Sequence, residues 1–331
     1  MGFWTGRKVL VTGAAGFIGS HLTEELLRQG ADVRVLIRCN SAGRRGFLDE
    51  LPADLTRHLQ VHASTVEDPF AVHKAVDGCD TVFHLAALIG IPYSYVAPAH
   101  YVATNVGGTL NVLEASLRCG VRRVIHTSTS ETYGTAQYAP IDELHPLVGQ
   151  SPYSASKIGA DQMAVAYHRS FELPVAILRP FNTFGPRQSA RAIIPTVISQ
   201  ILAGRDPIEV GSLAPQRDFN YVGDTVEGFL GIAQCDAAIG EVVNVGSGQT
   251  WTIGETIQRI AAIIGRPVQV RTQEQRMRPD ASEVHLLLAN TAKAERLWGY
   301  RPQVDFDEGL RRTVQWLSDN QHRYRPDEYA V

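Results

Sequence analysis

Short apolar runs alternate along the chain with longer stretches in which apolar residues recur at helical spacing. The runs "KVLVTG", "DVRVLI", "LQVHA", "DTVFHLAA", "RRVIHTS" and "PVAILRP" are rich in β-branched residues and read as strands. Between them lie amphipathic segments such as "FIGSHLTEELLRQG", which ends on Gly30, a residue suited to the left-handed turn that closes a helix. Strands that are apolar along nearly their whole length must be buried on both faces. That requires a parallel sheet with helices above and below it. After Arg179 the rhythm breaks, and Pro180, Pro186, Pro195, Pro207 and Pro215 divide the chain into short pieces. A strand and helix return at "RDFNYVGDTVEGFLGIA", another strand at "GEVVNVGSG", and "FDEGLRRTVQWLSDN" reads as a helix. The pattern predicts an α/β protein with a doubly wound parallel sheet from 1–178 plus 217–247. A smaller, discontinuous C-terminal domain is expected from 179–216 plus 248–331.

Charge and composition narrow the function classes. The 331 residues carry a formal net charge of −3 with no basic block, so a nucleic-acid partner has no electrostatic footprint. No apolar run is long enough to span a bilayer. "MGFWTGRKVLVTG" runs straight into a strand without a signal peptide's apolar segment, and Gly6 stands where a myristoylation motif wants Ser or Thr. Cys39, Cys79, Cys119 and Cys235 are far apart, which points to reduced thiols in a cytoplasmic protein. His58 and His62 are four apart but approach a strand, where that spacing does not bring them together, so no metal site is expected.

"VLVTGAAGFIGSHL" joins the first strand to the first helix and places Gly13, Gly16 and Gly19 in a GxxGxxG pattern. The first glycine allows a tight turn, the second lets a pyrophosphate approach backbone N–H groups, and the third lets helix and strand pack closely. A dinucleotide is therefore expected at this junction. Binders of NAD commonly end the second strand on a carboxylate that holds the ribose 2′-OH. Here Ile37 and Arg38 take that place, with Arg44 and Arg45 nearby. No carboxylate repels a 2′-phosphate and an arginine can pair with one, so NADP is expected, with NAD as the alternative.

"SPYSASKIGADQMA" sets Tyr153 and Lys157 one helical turn apart on one face. An ammonium beside the phenol, with the positive nicotinamide ring, would favour tyrosinate. Such a base could take a hydroxyl proton as hydride leaves the same carbon. In "VIHTSTSETYGT", the turn after a strand offers Thr129, Ser130 and Glu131. Two hydroxyls and a carboxylate exceed what hydride transfer alone needs.

With these motifs in this order, the chain resembles the extended short-chain dehydrogenase/reductases that modify nucleotide sugars. The resemblance runs through "TGAAGFIGSHL", "VFHLAA", "TNVGGTLNVLEA", "YSASKIGAD", "LRPFNTFGPRQ", "QRDFNYVGD", "NVGSG" and "RMRPDASEV". It implies a Rossmann-like cofactor domain with contacts at Gly13, Gly16, Phe17, Ile18, Gly19, Arg38, Thr65, Val66, Leu85, Ala86, Ala87, Tyr153 and Lys157. It implies Asn105 as an active-site support close to the cofactor, Thr129 or its neighbour on the substrate's 4-hydroxyl, Tyr153 as base and Lys157 as its partner. Asn182, Arg191, Arg217 and Arg278 are implied substrate contacts, the last two on the diphosphate. One departure is the third strand's end: the family often has Gly-Asp against adenine, and this chain has Ser64 and Thr65 in "HASTVED".

The Thr129-Ser130-Glu131 turn discriminates within the family. Epimerases typically have uncharged residues after the catalytic Ser or Thr, because returning a hydride to C4 needs no further base. Dehydratases need a base for the C5 proton and an acid for the departing C6 hydroxyl. The resembling dTDP-glucose dehydratases carry Thr-Asp-Glu here. GDP-mannose 4,6-dehydratases carry Thr-Ser-Glu, as do UDP-glucuronate decarboxylases. Some decarboxylases have an arginine where this chain has Gly223, which weighs against decarboxylation. The wording of "HLAALIGIPYSYVAP", "RPFNTFGPRQSARAIIPTVI" and the stretch from His126 through "YSASKIGADQMA" resembles N-acetylglucosamine 4,6-dehydratases of legionaminic-acid-type pathways. The expected activity is a 4,6-dehydratase acting on UDP- or GDP-N-acetylglucosamine. The alternatives are a UDP-glucuronate decarboxylase, a 4-epimerase or a non-catalytic sugar-nucleotide sensor. A homodimer through the "TNVGGTLNVLEASLRC" and "YSASKIGADQMAVAYHRS" helices is also expected.

Overall fold

The computed structural model describes residues 2–38, 43–57 and 59–326. Cys39 and His58, considered above as thiol and metal-ligand candidates, lie outside the described residues.

The sheet contains β1 (Lys8–Thr12), β2 (Asp32–Ile37), β3 (Gln60–Ala63), β4 (Thr81–His84), β5 (Arg123–Thr127), β6 (Val175–Pro180) and β7 (Val242–Val245). All pair in parallel, in the order β7-β6-β5-β4-β1-β2-β3. This is the expected Rossmann-like, doubly wound architecture. Residue alternation along each strand feeds two separate cores. Val9, Val11, Phe83, Ile125, Ala176 and Leu178 point to one face. They meet Leu22 and Leu26 of α1 (Phe17–Arg28) and residues of a later helix, Phe229 and Leu230. Leu10, Val82, Val124, Val175 and Ile177 point to the other face. There they meet α2 (Pro69–Val76), α3 (Gly108–Arg118) and α4 (Pro152–Phe171). Burying each of these Leu, Val or Phe side chains contributes about 1.5–3 kcal/mol, which selects this layered arrangement over an open sheet.

A third core lies among α5 (Ile193–Leu202), α7 (Ile253–Ile264) and α8 (Phe306–Asp319), while α6 (Val222–Gln234) returns to the sheet. Small sheets join distant segments here: Phe219–Tyr221 with Asn182–Phe184, and Gln216–Arg217 between Trp251–Thr252 and Leu286–Leu287. Two details cross the expected domain line. Ala294 and Tyr300 pack into the sheet's first core, whereas Phe219 packs into the third. Packing, not chain order, decides which core takes each residue.

Two features position the site. A π-helical turn, Val102–Gly107, precedes α3 and carries Asn105. A Ser151–Ser154 capping box with Pro152 in the first turn fixes the start of α4. Gly108 packs on Val66 and Gly159 on Val106, so a glycine at the start of α3 and one within α4 serve packing inside the chain. No helix among the described residues is long and apolar enough to cross a membrane. Cys79, Cys119 and Cys235 are free.

Candidate active site

The glycine turn is built by exclusion. Gly13 has φ 72°, and a Cβ there would lie 2.8 Å from the Ala86 nitrogen. A Cβ on Gly19 would lie 2.3 Å from the Gly13 carbonyl oxygen. Both positions therefore require glycine, one for turn conformation and close approach to the segment after β4, the other for helix–strand contact. Gly16 is the N-cap of α1 and no side chain caps the helix, which leaves the Phe17 and Ile18 end open toward a ligand. The Thr12 hydroxyl accepts from the Leu85 and Ala86 N–H groups, both at 3.1 Å, and fixes the 85–87 segment beside the turn. An uncapped helix N-terminus over a cradle that a methyl group would fill fits a dinucleotide pyrophosphate.

At the expected adenosine end, Ile37 is buried and Arg38 is exposed. The segment after Arg44 and Arg45 folds back on the glycine turn: Phe47 N–H donates to the Ala15 carbonyl at 3.3 Å. Arg45 pairs with Asp49 at 2.8 Å. Val66 is buried, and the Thr65 hydroxyl donates to Glu67 at 2.6 Å. Asn105 accepts from Leu88 N–H at 2.8 Å and donates to the Leu88 carbonyl at 3.0 Å and to Ser156 Oγ at 2.9 Å. One amide thus joins the π-turn, the loop after β4 and the first turn of α4.

At the end of β5, Thr129 caps a short 3-10 turn, Ser130–Tyr133, by accepting from the Glu131 N–H at 3.3 Å. Ser130 is 2% exposed, so its hydroxyl is enclosed with the turn. Glu131 is 8% exposed, so it is an enclosed carboxylate rather than a solvated loop charge. The Thr129 side chain lies close enough to Tyr153 to act on its pKa, so the turn and the Tyr-Lys helix form one site.

The expected lowering of the Tyr153 pKa is not a property of the protein groups. Burial raises it well above the ordinary tyrosine value, the Thr129 side chain opposes this, and the Glu131 carboxylate adds to it. Lys157 is buried and donates to the Thr127 carbonyl at 2.6 Å. Burial lowers its pKa from 10.5 to about 8, with Asp161 opposing. The motif supplies the right groups, but favouring tyrosinate needs positive charge from outside this set of residues.

Beneath the site lies a buried network that sequence reading missed. Asp161, two turns after Tyr153 on α4, accepts from Ser128 Oγ at 2.6 Å and from Arg179 Nη2 at 2.7 Å. It faces His126 Nε2 at 3.1 Å. Burial works against the carboxylate's charge, but the His126 hydrogen bond and the Arg179 guanidinium outweigh it and hold the pKa below the usual aspartate range. Arg179 Nη1 also donates to the Tyr133 hydroxyl at 3.0 Å, and that hydroxyl donates to Asn244 at 2.8 Å. The 129–133 turn, α4, β5, β6 and β7 therefore share one polar anchor.

Arg217 and Arg278 meet on the other side of the turn. Arg278 Nη1 is 3.5 Å from Glu131 Oε2, and this buried nitrogen has no hydrogen-bond partner. Arg217 is 5% exposed and lies 3.3 Å from Glu283, a residue that sequence analysis did not single out. Asn182 lies on a short strand and its buried Oδ1 is unpaired. Arg191 is exposed, near Gly90. Gly223 is exposed in the first turn of α6 beside the Tyr221 ring. Tyr101, also missed, packs edge-on against Tyr153 with ring centroids 6.3 Å apart.

A family model described as GDP-mannose 4,6 dehydratase matches residues 10–313. The chain is 33% identical over 327 residues to a dTDP-glucose 4,6-dehydratase of Actinoplanes sp., covering 95% of this chain and 98% of that protein. It is 30% identical over 323 residues to a UDP-N-acetyl-alpha-D-glucosaminuronate decarboxylase of Bacillus cytotoxicus, covering 95% and 98%. Among solved structures, DesIV, a dTDP-glucose 4,6-dehydratase from Streptomyces venezuelae with NAD bound, superposes with a TM-score of 0.88 at 33% identity. That match covers 96% of this chain and 99% of the DesIV chain.

Proposed function

We infer that this chain, which belongs to the extended short-chain dehydrogenase/reductase family, is a nucleotide-sugar 4,6-dehydratase acting on UDP- or GDP-N-acetylglucosamine. The observation that carries this reading is the enclosed Glu131, held in the same turn as a threonine that reaches Tyr153. An epimerase has no use for a carboxylate there. The N-acetylhexosamine substrate rests on the sequence resemblance.

A bound nicotinamide dinucleotide supplies a hydride acceptor for C4 and a hydride donor for C6. Thr129 orients the 4-hydroxyl and Tyr153 takes its proton, with Lys157 as the adjacent ammonium. Once C4 is a ketone, the C5 proton is acidified and Glu131 removes it. Ser130 or the protonated Glu131 delivers a proton to the departing C6 hydroxyl. Asn182, Arg191, Arg217 and Arg278 hold the substrate, the last two on its diphosphate. With hydride added at C6 and a solvent-derived proton delivered to C5, the product is a 4-keto-6-deoxy sugar nucleotide.

The cofactor contacts are Gly13, Gly16, Phe17, Ile18, Gly19, Arg38, Thr65, Val66, the 85–87 segment, Asn105, Tyr153 and Lys157. NADP is the preferred form, supported by the buried Ile37, the adjacent exposed Arg38 and the docking of the 44–47 segment on the glycine turn. The cofactor unit comprises 1–178 plus 217–247, with the substrate unit in the remaining segments. The enzyme is a cytoplasmic homodimer joined through α3 and α4.

A second reading, decarboxylation of a uronic-acid nucleotide, is favoured by the shared Thr-Ser-Glu turn and the 30% identity to a decarboxylase. Incubation with UDP-, GDP-, CDP- and dTDP-sugars, with products identified by mass and NMR, separates the two. The dehydratase reading predicts loss of water from an N-acetylhexosamine nucleotide. Loss of carbon dioxide from a uronate, with hexosamines untouched, would reject it.

A further inference from the structure

Arg217 and Arg278 bring two positive charges into a largely enclosed site. Burial pulls Arg217 below the ordinary arginine value, Glu131 opposes this, and the neighbouring Arg278 adds to it. Paired cations in such a site need counter-charge. Glu131 lies 3.5 Å from Arg278, whereas Glu283 Oε1 lies 3.3 Å from Arg217 and 3.9 Å from Arg278. One carboxylate oxygen thus stands between both guanidiniums, where an anionic ligand oxygen would have to stand.

The backbone around Glu283 is tied down. Its carbonyl accepts from Gln150 Nε2 at 3.2 Å and from the Thr135 hydroxyl at 3.3 Å. The preceding Ser282 hydroxyl donates to the Gln150 carbonyl at 2.5 Å and lies 2.6 Å from the Tyr95 hydroxyl. Thr135 follows the catalytic turn and Gln150 precedes α4, so the segment is anchored to the two elements that carry Glu131 and Tyr153. The side chain is held too, because Oε1 accepts from the Val284 N–H at 3.1 Å while facing the two guanidiniums.

We propose that Glu283 is an internal counter-anion that competes with the nucleotide's diphosphate for Arg217 and Arg278 and so sets nucleotide affinity. Before substrate arrives, its carboxylate neutralises the pair of guanidiniums. When a diphosphate binds, the carboxylate stays nearby as a like charge, weakening the hold on both substrate and product and favouring release. The inference rests on the diphosphate assignment of the proposed function, though not on which reaction follows.

The test is calorimetric titration of the wild type and Glu283→Gln with inorganic pyrophosphate, UDP and GDP. The amide keeps the size and removes the charge, so these ligands should bind on the order of tenfold more tightly. Uridine and guanosine, which lack phosphate, should be unaffected. A side chain needed only for structure would not produce a gain. Unchanged or weaker pyrophosphate binding, with wild-type melting behaviour, would overturn the role. If the glutamine variant does not fold, Glu283→Asp withdraws the carboxylate by one methylene and should tighten pyrophosphate by a smaller factor; no tightening there overturns the proposal equally. Arg217→Met should lose pyrophosphate binding. Retained binding would reject the diphosphate assignment and this inference with it, whereas loss there without a gain in Glu283→Gln rejects only the role of Glu283.

Discussion

Replacing Asp161 with Asn should destabilise the protein far more than an ordinary polar substitution. The carboxylate accepts from Ser128 at 2.6 Å and from Arg179 at 2.7 and 3.3 Å, and faces His126 at 3.1 Å, all in the interior. Burial pushes His126 below the usual imidazole pKa, so it is neutral; a carboxylate only accepts, so the ring proton sits on Nε2. Asparagine keeps one acceptor oxygen but turns an NH2 group toward a ring of donors. It also leaves the Arg179 guanidinium, 3% exposed, without a counter-charge. Breaking a buried pair by removing one partner costs about 3–5 kcal/mol, a large share of the ~5–15 kcal/mol that holds a typical domain together. Urea denaturation followed by near-ultraviolet circular dichroism reads this directly. The Asp161→Leu, Arg179→Met double variant should lose less than the sum of the single losses, because no buried charge is stranded. The wild-type contribution is fully present above the ordinary aspartate pKa of 3.8 and is lost as pH falls below it, since folding depresses this group's pKa. Asp161→Asn should therefore flatten the acid limb of the stability profile. A loss below about 1 kcal/mol at neutral pH, with an unchanged acid limb, would refute the reasoning.

Tyr153→Phe keeps the ring packed on Tyr101 and removes the base; turnover should fall at least ~10²-fold while nucleotide-sugar affinity, measured by calorimetry, changes much less. Glu131→Gln should still permit oxidation at C4 but suppress elimination, so absorbance of reduced cofactor should build up after substrate is mixed in. Normal product formation would remove Glu131 from the elimination. Arg38→Ala should weaken NADP and leave NAD nearly untouched in parallel fluorescence titrations, and equal losses for both would contradict the 2′-phosphate assignment.

The strands, the glycine turn and the Tyr-Lys helix were legible because each is a local pattern. Gly13 and Gly19 are needed within a few residues of one another, and Tyr153 and Lys157 lie one turn apart. What was not legible depends on segments that meet only in the fold. Asp218 accepts from the backbone N–H groups of Ser247, Gly248 and Ala289 at 2.7–3.1 Å, fixing short strands that no run of residues advertises. Glu283 gains its importance only by facing Arg217, and Asp161 only by facing Arg179 on another element. Spacing likewise revealed Lys157 beside Tyr153, but not the burial and the Glu131 charge that raise the Tyr153 pKa. The π-turn carrying Asn105 has no distinctive spacing to announce it.

The central claim is that Glu131 serves an elimination after C4 is oxidised. The most direct measurement follows deuterium placed at C4 of UDP- and GDP-N-acetylglucosamine through the reaction, with a parallel reaction in heavy water. The account predicts that the label from C4 appears at C6 of a 4-keto-6-deoxy product and that C5 acquires deuterium from heavy water. Label returned to C4 with the C6 hydroxyl intact would contradict it and make the enzyme an epimerase.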